Sequence, residues 1–204
     1  MTSFLAVFAI AFAAVLLVEL PDKTMVATLV LSTRYRRRPV LAGAGAAFAV
    51  QCVVAVTAGG LLHLLPHRIL EAAVALLFAV GAVLLFRESV TGADEEAAAE
   101  VGLTGTPAGP ELSDRRIFGI SFGVLFAAEW GDASQLATAG LVARYGQPVA
   151  IGLGAFLALV GVAAVAVLIG KVILRRVPLQ LVHRVAAVLF AVFAVLAGVA
   201  AVRG

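Results

Sequence analysis

The sequence predicts an all-α membrane protein whose six transmembrane helices form two inverted-topology three-helix repeats. Three observations carry that expectation. The 204-residue chain is 63% hydrophobic and 13% charged, more apolar surface than a soluble domain of this size can bury. Its apolar residues fall into segments of the roughly 20 residues needed to span a bilayer, without strand-like alternation. Two stretches, one in each half, match in both their apolar and their charged positions.

The first apolar segment, 4–33, follows a start with no basic residues, so it reads as a retained first span rather than a cleaved signal peptide. Arg34 to Pro39 ends it, and spans at 40–62 and 68–87 flank the HLLPHR turn. Glu88 to Asp114 carries seven acids and no base among several glycines and two prolines, which reads as a disordered cytoplasmic linker. Spans at 116–143, 148–173 and 178–202 follow, punctuated by Gln147-Pro148 and Val177-Pro178. The domains are therefore a first repeat (1–87), an acidic linker (88–114) and a second repeat (115–204).

Basic residues orient the spans. Ten (Arg34, Arg36, Arg37, Arg38, Arg87, Arg115, Arg116, Lys171, Arg175 and Arg176) fall on one side, against Arg68, Arg144 and Arg203 on the other. Both termini are expected outside and the linker inside. The formal charge of +3 thus has a topological use and does not imply nucleic acid. The single cysteine, Cys52, excludes an internal disulfide and dithiol oxidoreductase chemistry.

The repeat is clearest where charge enters the spans. ELPDKTMVATLVLSTRY at 19–35 aligns without gaps with EWGDASQLATAGLVARY at 129–145. RRRPVLAG then matches YGQPVAIG, and AAVALLFAVGAVL matches RVAAVLFAVFAVL. Ala/Val/Leu helices match by chance in their apolar parts, but chance does not readily match Glu19, Asp22, Thr28, Arg34 and Tyr35 with Glu129, Asp132, Thr138, Arg144 and Tyr145. Three spans per copy is an odd number, so the second copy enters upside down, the plan of many secondary transporters with sites at the midplane.

Glu19 and Asp22 precede Thr33 by about 11–14 residues, or roughly 17–21 Å of helix. Glu129 and Asp132 follow Arg116 by about 13–16 residues, or roughly 20–24 Å. Both acid pairs then lie near mid-bilayer, and i, i+3 spacing puts each pair on one helix face. A breaker separates the acids in each copy. Pro21 frees the carbonyl of Leu17, and Gly131 permits unwinding. Gly119 and Gly123 form GxxxG, with Ala9 and Ala13 at the aligned positions, a spacing that allows close helix approach.

Snorkelling explains lone charges near span ends, and Glu71, Arg184, His63 and His67 are read that way. It does not explain four central acids, because a mid-span Asp costs about 2.5–3.5 kcal/mol. Lys23, as a structural ion-pair partner, cannot neutralise all four. Glu19, Asp22, Glu129 and Asp132 are therefore candidate ligands for a cation, exchanging it with protons. Thr24, Thr28, Ser134, Thr138 and Gln135 add hard oxygen donors suited to calcium, manganese or magnesium, with no His or Cys in either motif. Gln51 is either an outer ligand or a helix–helix hydrogen bond.

At these residues the chain resembles the GDT family of membrane cation/proton exchangers. The family carries Glu-x-Gly-Asp-Lys/Arg-Ser/Thr once in each of two three-span repeats. Here the motifs read Glu19-Leu20-Pro21-Asp22-Lys23-Thr24 and Glu129-Trp130-Gly131-Asp132-Ala133-Ser134. Pro21 stands for the usual Gly and Ala133 for the usual base. The resemblance implies that the four acids bind the transported ion, that Thr24, Ser134 and Gln135 support it, and that Lys23 tunes their protonation.

The expected function is a divalent cation/proton antiporter of a bacterial plasma membrane, exporting manganese or calcium by alternating access. Its partners are the bilayer, the cation and protons, with no resident cofactor and no enzymatic activity. Two rival readings are an exporter of small organic solutes such as amino acids, and a non-transporting membrane assembly protein.

Overall fold

The computed structural model describes residues 3–20, 23–91, 112–176 and 179–203. Every regular element among them is helical. The helices are α1 (Phe4–Glu19), α2 (Lys23–Arg34), α3 (Arg37–Leu62), α4 (His67–Thr91), α5 (Asp114–Ala128), α6 (Ala133–Tyr145), α7 (Pro148–Arg176) and α8 (Leu179–Arg203).

Helix ends fall where local chemistry puts them. The Ser3 hydroxyl caps α1 by accepting from the Ala6 N–H at 3.2 Å. Gly146 closes α6 in the left-handed region, φ +63°. Pro148 then opens α7, a first-turn position where its missing N–H costs nothing. Helix α4 runs to Thr91, past the expected boundary at 87. The rest of the predicted linker, 92–111, lies outside the described residues.

Helices α3, α4, α7 and α8 are each long and apolar enough to cross a membrane. Helices α1 and α2 make a fifth span if counted as one bent by 70°. The expected spans 4–33 and 116–143 are thus each two helices, parted at the motif where a helix breaker was expected. Bulky side chains turned outward on the spans are mostly Val and Leu, among them Val53, Leu76, Leu168 and Val188. That apolar exterior suits lipid and would be a liability in water.

Packing is reciprocal between the halves. Helix α1 packs on α7 and α5 on α3; α2 packs on α7 and α6 on α3. Helix α3 also meets α7, and α4 pairs with α8 through the edge-to-face contact of Phe78 with Phe190, centroids 5.4 Å apart. Two close glycine approaches repeat the same pattern. A Cβ on Gly43 would stand 2.5 Å from the Phe118 carbonyl oxygen and 2.9 Å from the Ser121 Cβ. One on Gly154 would stand 2.6 Å from the Phe8 carbonyl oxygen and 3.1 Å from the Ala11 Cβ. Phe8 and Ala11 are the residues that align with Phe118 and Ser121.

The GxxxG expectation is corrected here. Gly119 and Gly123 face open space, and Ala9 and Ala13 are exposed. The close contact on α5 and α1 is made by the opposite face, against glycines of α3 and α7. Spacing identified a face of small residues, but not the face that packs.

Gly43→Val and Gly154→Val should each lower stability by about 1–3 kcal/mol, since backbone cannot yield to the added atoms. Gly119→Val and Gly123→Val should shift it by less than about 0.5 kcal/mol. Unfolding of the purified variants in detergent checks both expectations.

Candidate metal centre

The interior joins the two broken segments. Helix α1 ends at Glu19. Helix α5 ends at Ala128 with Glu129 as its C-cap, and Asp132 is the N-cap of α6. Carboxylate oxygens of Glu19, Glu129 and Asp132 all lie within 4.8 Å of one another. All three residues are buried, at 0%, 0% and 6% exposure. Residues 110 positions apart in the chain thus share one cluster.

The second break is well defined. Gly131 adopts φ +76°, which a side chain would strain. The Trp130 N–H turns to Ala127 O at 3.4 Å, and so does not serve the Phe126 carbonyl as a continuing helix would. Gln51 of α3 takes that carbonyl instead, donating from Nε2 at 2.9 Å. Gln51 is 2% exposed and acts as the helix–helix bond of its two sequence readings. Gln135 reaches back from the first turn of α6, its Oε1 accepting from the Gly131 N–H at 3.0 Å. This resembles a capping box moved one residue outward. The Asp132 carboxylate does not cap α6.

The hydroxyl-bearing residues of the two motifs are buried as well. Thr24, Thr28, Ser134 and Thr138 are all buried. Thr138 donates to the Ser134 carbonyl at 2.8 Å. The Thr24 and Thr28 hydroxyls have no hydrogen-bond partner among the described residues. Ser121 of α5 is also buried without one, and only its alignment with Ala11 marks it out in the sequence. Lys23 opens α2. Asp22 and Pro21, both expected at the site, lie outside the described residues, as does the Lys23 side chain.

Beyond the cluster, Glu71 is not the snorkelling acid that its sequence position suggested. It is 8% exposed and pairs with Arg144 at 3.2 Å. His63 Nδ1 donates to the neighbouring Ala143 carbonyl at 2.6 Å. Together they tie the end of α6 to α3 and α4. Arg34, aligned with Arg144, makes no ion pair among the described residues.

The electrostatics limit what the cluster can be. Two ionised carboxylates within 4.8 Å of each other repel by at least about 3 kcal/mol at an effective dielectric near 20. Three such pairs inside a helical bundle require a cation or protons. The N-terminal end of α6 supplies some positive potential at Asp132, but less than one charge. Oxygens sharing one calcium ion at about 2.3–2.6 Å stand at most about 5 Å apart. The three oxygens lie within that limit of one another.

Apolar spans around a buried carboxylate cluster define a helical membrane protein with an acidic interior. The family model of the divalent cation/proton antiporter GDT1 matches residues 7–93 and 117–204, and the chain belongs to that family, which consists of transporters rather than enzymes. It is 32% identical over 185 residues to a GDT1-like protein of Synechocystis sp., covering 87% of this chain and 89% of that one. It is 31% identical over 198 residues to a Vibrio cholerae protein named "Putative manganese exporter", covering 93% and 89%. GDT1-like protein 5 of Arabidopsis thaliana is 30% identical over 220 residues, covering 96% of each chain. No solved structure matches the chain.

Gln51→Leu should lower stability by about 1–3 kcal/mol, because it strands the buried Phe126 carbonyl. Gly131→Ala should cost about 1–2 kcal/mol through its left-handed backbone. Chemical unfolding in detergent measures both.

Proposed function

We propose that the chain exchanges a divalent cation, manganese in the first place, for protons across a bacterial plasma membrane, and that it works as an exporter. The observation that carries this reading is the meeting of Glu19 with Glu129 and Asp132, carboxylates from opposite halves, in one buried cluster. Asp22 completes the set as the fourth acid, and Thr24, Thr28, Ser134, Gln135 and Thr138 supply further oxygens. A metal loads onto deprotonated carboxylates, so its arrival expels protons and its departure readmits them. Lys23 tunes that balance.

The proposed architecture is six spans in two inverted repeats, with α1–α2 and α5–α6 as broken spans. Three features support it: the aligned motifs, the reciprocal packing of α1 on α7 and α5 on α3, and a family model whose matched stretches coincide with the two halves. Both termini face outward in this reading, and linker 88–114 faces the cytoplasm. Access alternates by rocking one repeat against the other around the cluster. The Glu71–Arg144 pair and the His63 bond close the outer end of α6, while Arg34 at the opposite end is unlatched. That asymmetry suits a conformation shut toward the outside.

Oxygen-only donors and the Vibrio cholerae relative's name favour manganese; calcium shares the donor preference. Exchange of small organic solutes has no use for three buried acids. An assembly protein would tolerate their neutralisation.

The test is uptake into proteoliposomes, with an imposed pH gradient, across a panel of divalent ions. Manganese should exchange for protons, and Asp132→Asn or Glu129→Gln should reduce transport by at least about tenfold, no less than outer-shell changes cost metal sites. Equal transport by the neutral variants would remove the mechanism.

A further inference from the structure

Helices α3 and α5 begin side by side at one end of the molecule, and between their first turns lies a crevice of about 400 Å³. It is lined by Arg38, Pro39 and Ala42 of α3 and by Asp114, Arg115 and Phe118 of α5. We propose that this crevice binds the headgroup of an anionic phospholipid.

Its basic charge is unpaired among the described residues. Arg38 and Arg115 are exposed and make no ion pair among the described residues. The one acid among the described residues that line it, Asp114, pairs with Arg36 at 2.8 Å. Arg36 is itself fixed, donating to the Leu112 carbonyl at 2.6 Å. A second anion entering the crevice therefore meets two open guanidinium groups, the groups best shaped to hold a phosphate by paired hydrogen bonds. Neither α3 nor α5 has a side-chain cap, so the positive ends of two helix dipoles add to the same potential.

The shape selects a lipid over a free anion. Pro39, Ala42 and Phe118 give the crevice an apolar side, and Phe118 is 38% exposed. The helices close beneath it where Gly43 meets the Phe118 backbone. The pocket is therefore shallow, with apolar and charged lining side by side. Charge sits at the end of the spans and apolar surface next to it, the order of groups in a phospholipid. Basic pockets between helix ends bind such headgroups.

Helix packing does not demand these arginines. The aligned positions in the opposite half are Gln147 for Arg38 and Leu5 for Arg115. The same reciprocal α1–α7 and α5–α3 packing is thus made once with the basic pair and once without it.

The test uses the full-length protein in neutral detergent, titrated with phosphatidylglycerol, phosphatidylcholine or inorganic phosphate, with bound lipid counted by native mass spectrometry. The proposal expects one phosphatidylglycerol retained per chain, at least tenfold tighter than phosphatidylcholine. Arg38→Gln/Arg115→Gln should weaken it at least tenfold. Arg37→Gln/Arg116→Gln, the same charge change on the same helix turns but outside the crevice, should weaken it less than threefold. Equal loss in the two double variants would mean diffuse attraction and overturn the site. So would inorganic phosphate competing at the concentration of the lipid, since the free anion would then suffice. Should Arg38→Gln/Arg115→Gln not fold, the wild-type comparison decides: equal retention of the two lipids overturns the proposal. None of these readouts depends on transport.

Discussion

Mutual repulsion among carboxylates held together away from water governs this molecule. Glu19, Glu129 and Asp132 occupy one small volume in which their negative charges cannot coexist unaided. Everything nearby manages that cost. Helices stop on either side of the cluster rather than running through it, which places an N-terminal end at Asp132. An arrangement that is expensive empty and comfortable with a cation or protons is what an exchanger of one for the other requires.

The same cost explains the breaks. A continuous helix through residues 116–143 would direct its side chains outward along a cylinder and leave its carbonyls bonded internally. Gly131 interrupts it, and the interruption releases the Phe126 carbonyl, which Gln51 then occupies from α3. No residue of α7 stands in for Gln51, because the apolar sequence opposite carries no amide there. The proposed halves thus share a plan but not every support. Their differences include Gln51 and the Glu71–Arg144 pair.

Much of this was legible in the sequence, for physical reasons. Charge in an apolar span is costly enough to identify Glu19, Glu129 and Asp132, and counting residues from the span ends brings them to one depth. Pro21 and Gly131 mark the interruptions because few residues so reliably stop a helix. The facing of the helices was not legible. In spans that are apolar nearly all the way round, hydrophobicity does not say which side turns inward. Gly119 and Gly123 consequently pointed to a contact that Gly43 and Gly154 make. The Glu71–Arg144 pair was hidden for a related reason: each residue alone looks like a charge reaching for the interface, and 73 positions separate them. Ser121 carried no charge or motif to announce it.

The central claim, that carboxylates of both halves form one seat for a hard divalent ion, is tested most directly by titrating detergent-purified protein with manganese and following paramagnetic resonance and proton release together. The account predicts one tightly held ion per chain in an all-oxygen environment, with protons liberated as it binds and both signals lost when either Glu19 or Glu129 becomes glutamine. Binding that survives loss of one half's carboxylate, or that liberates no proton, would contradict it.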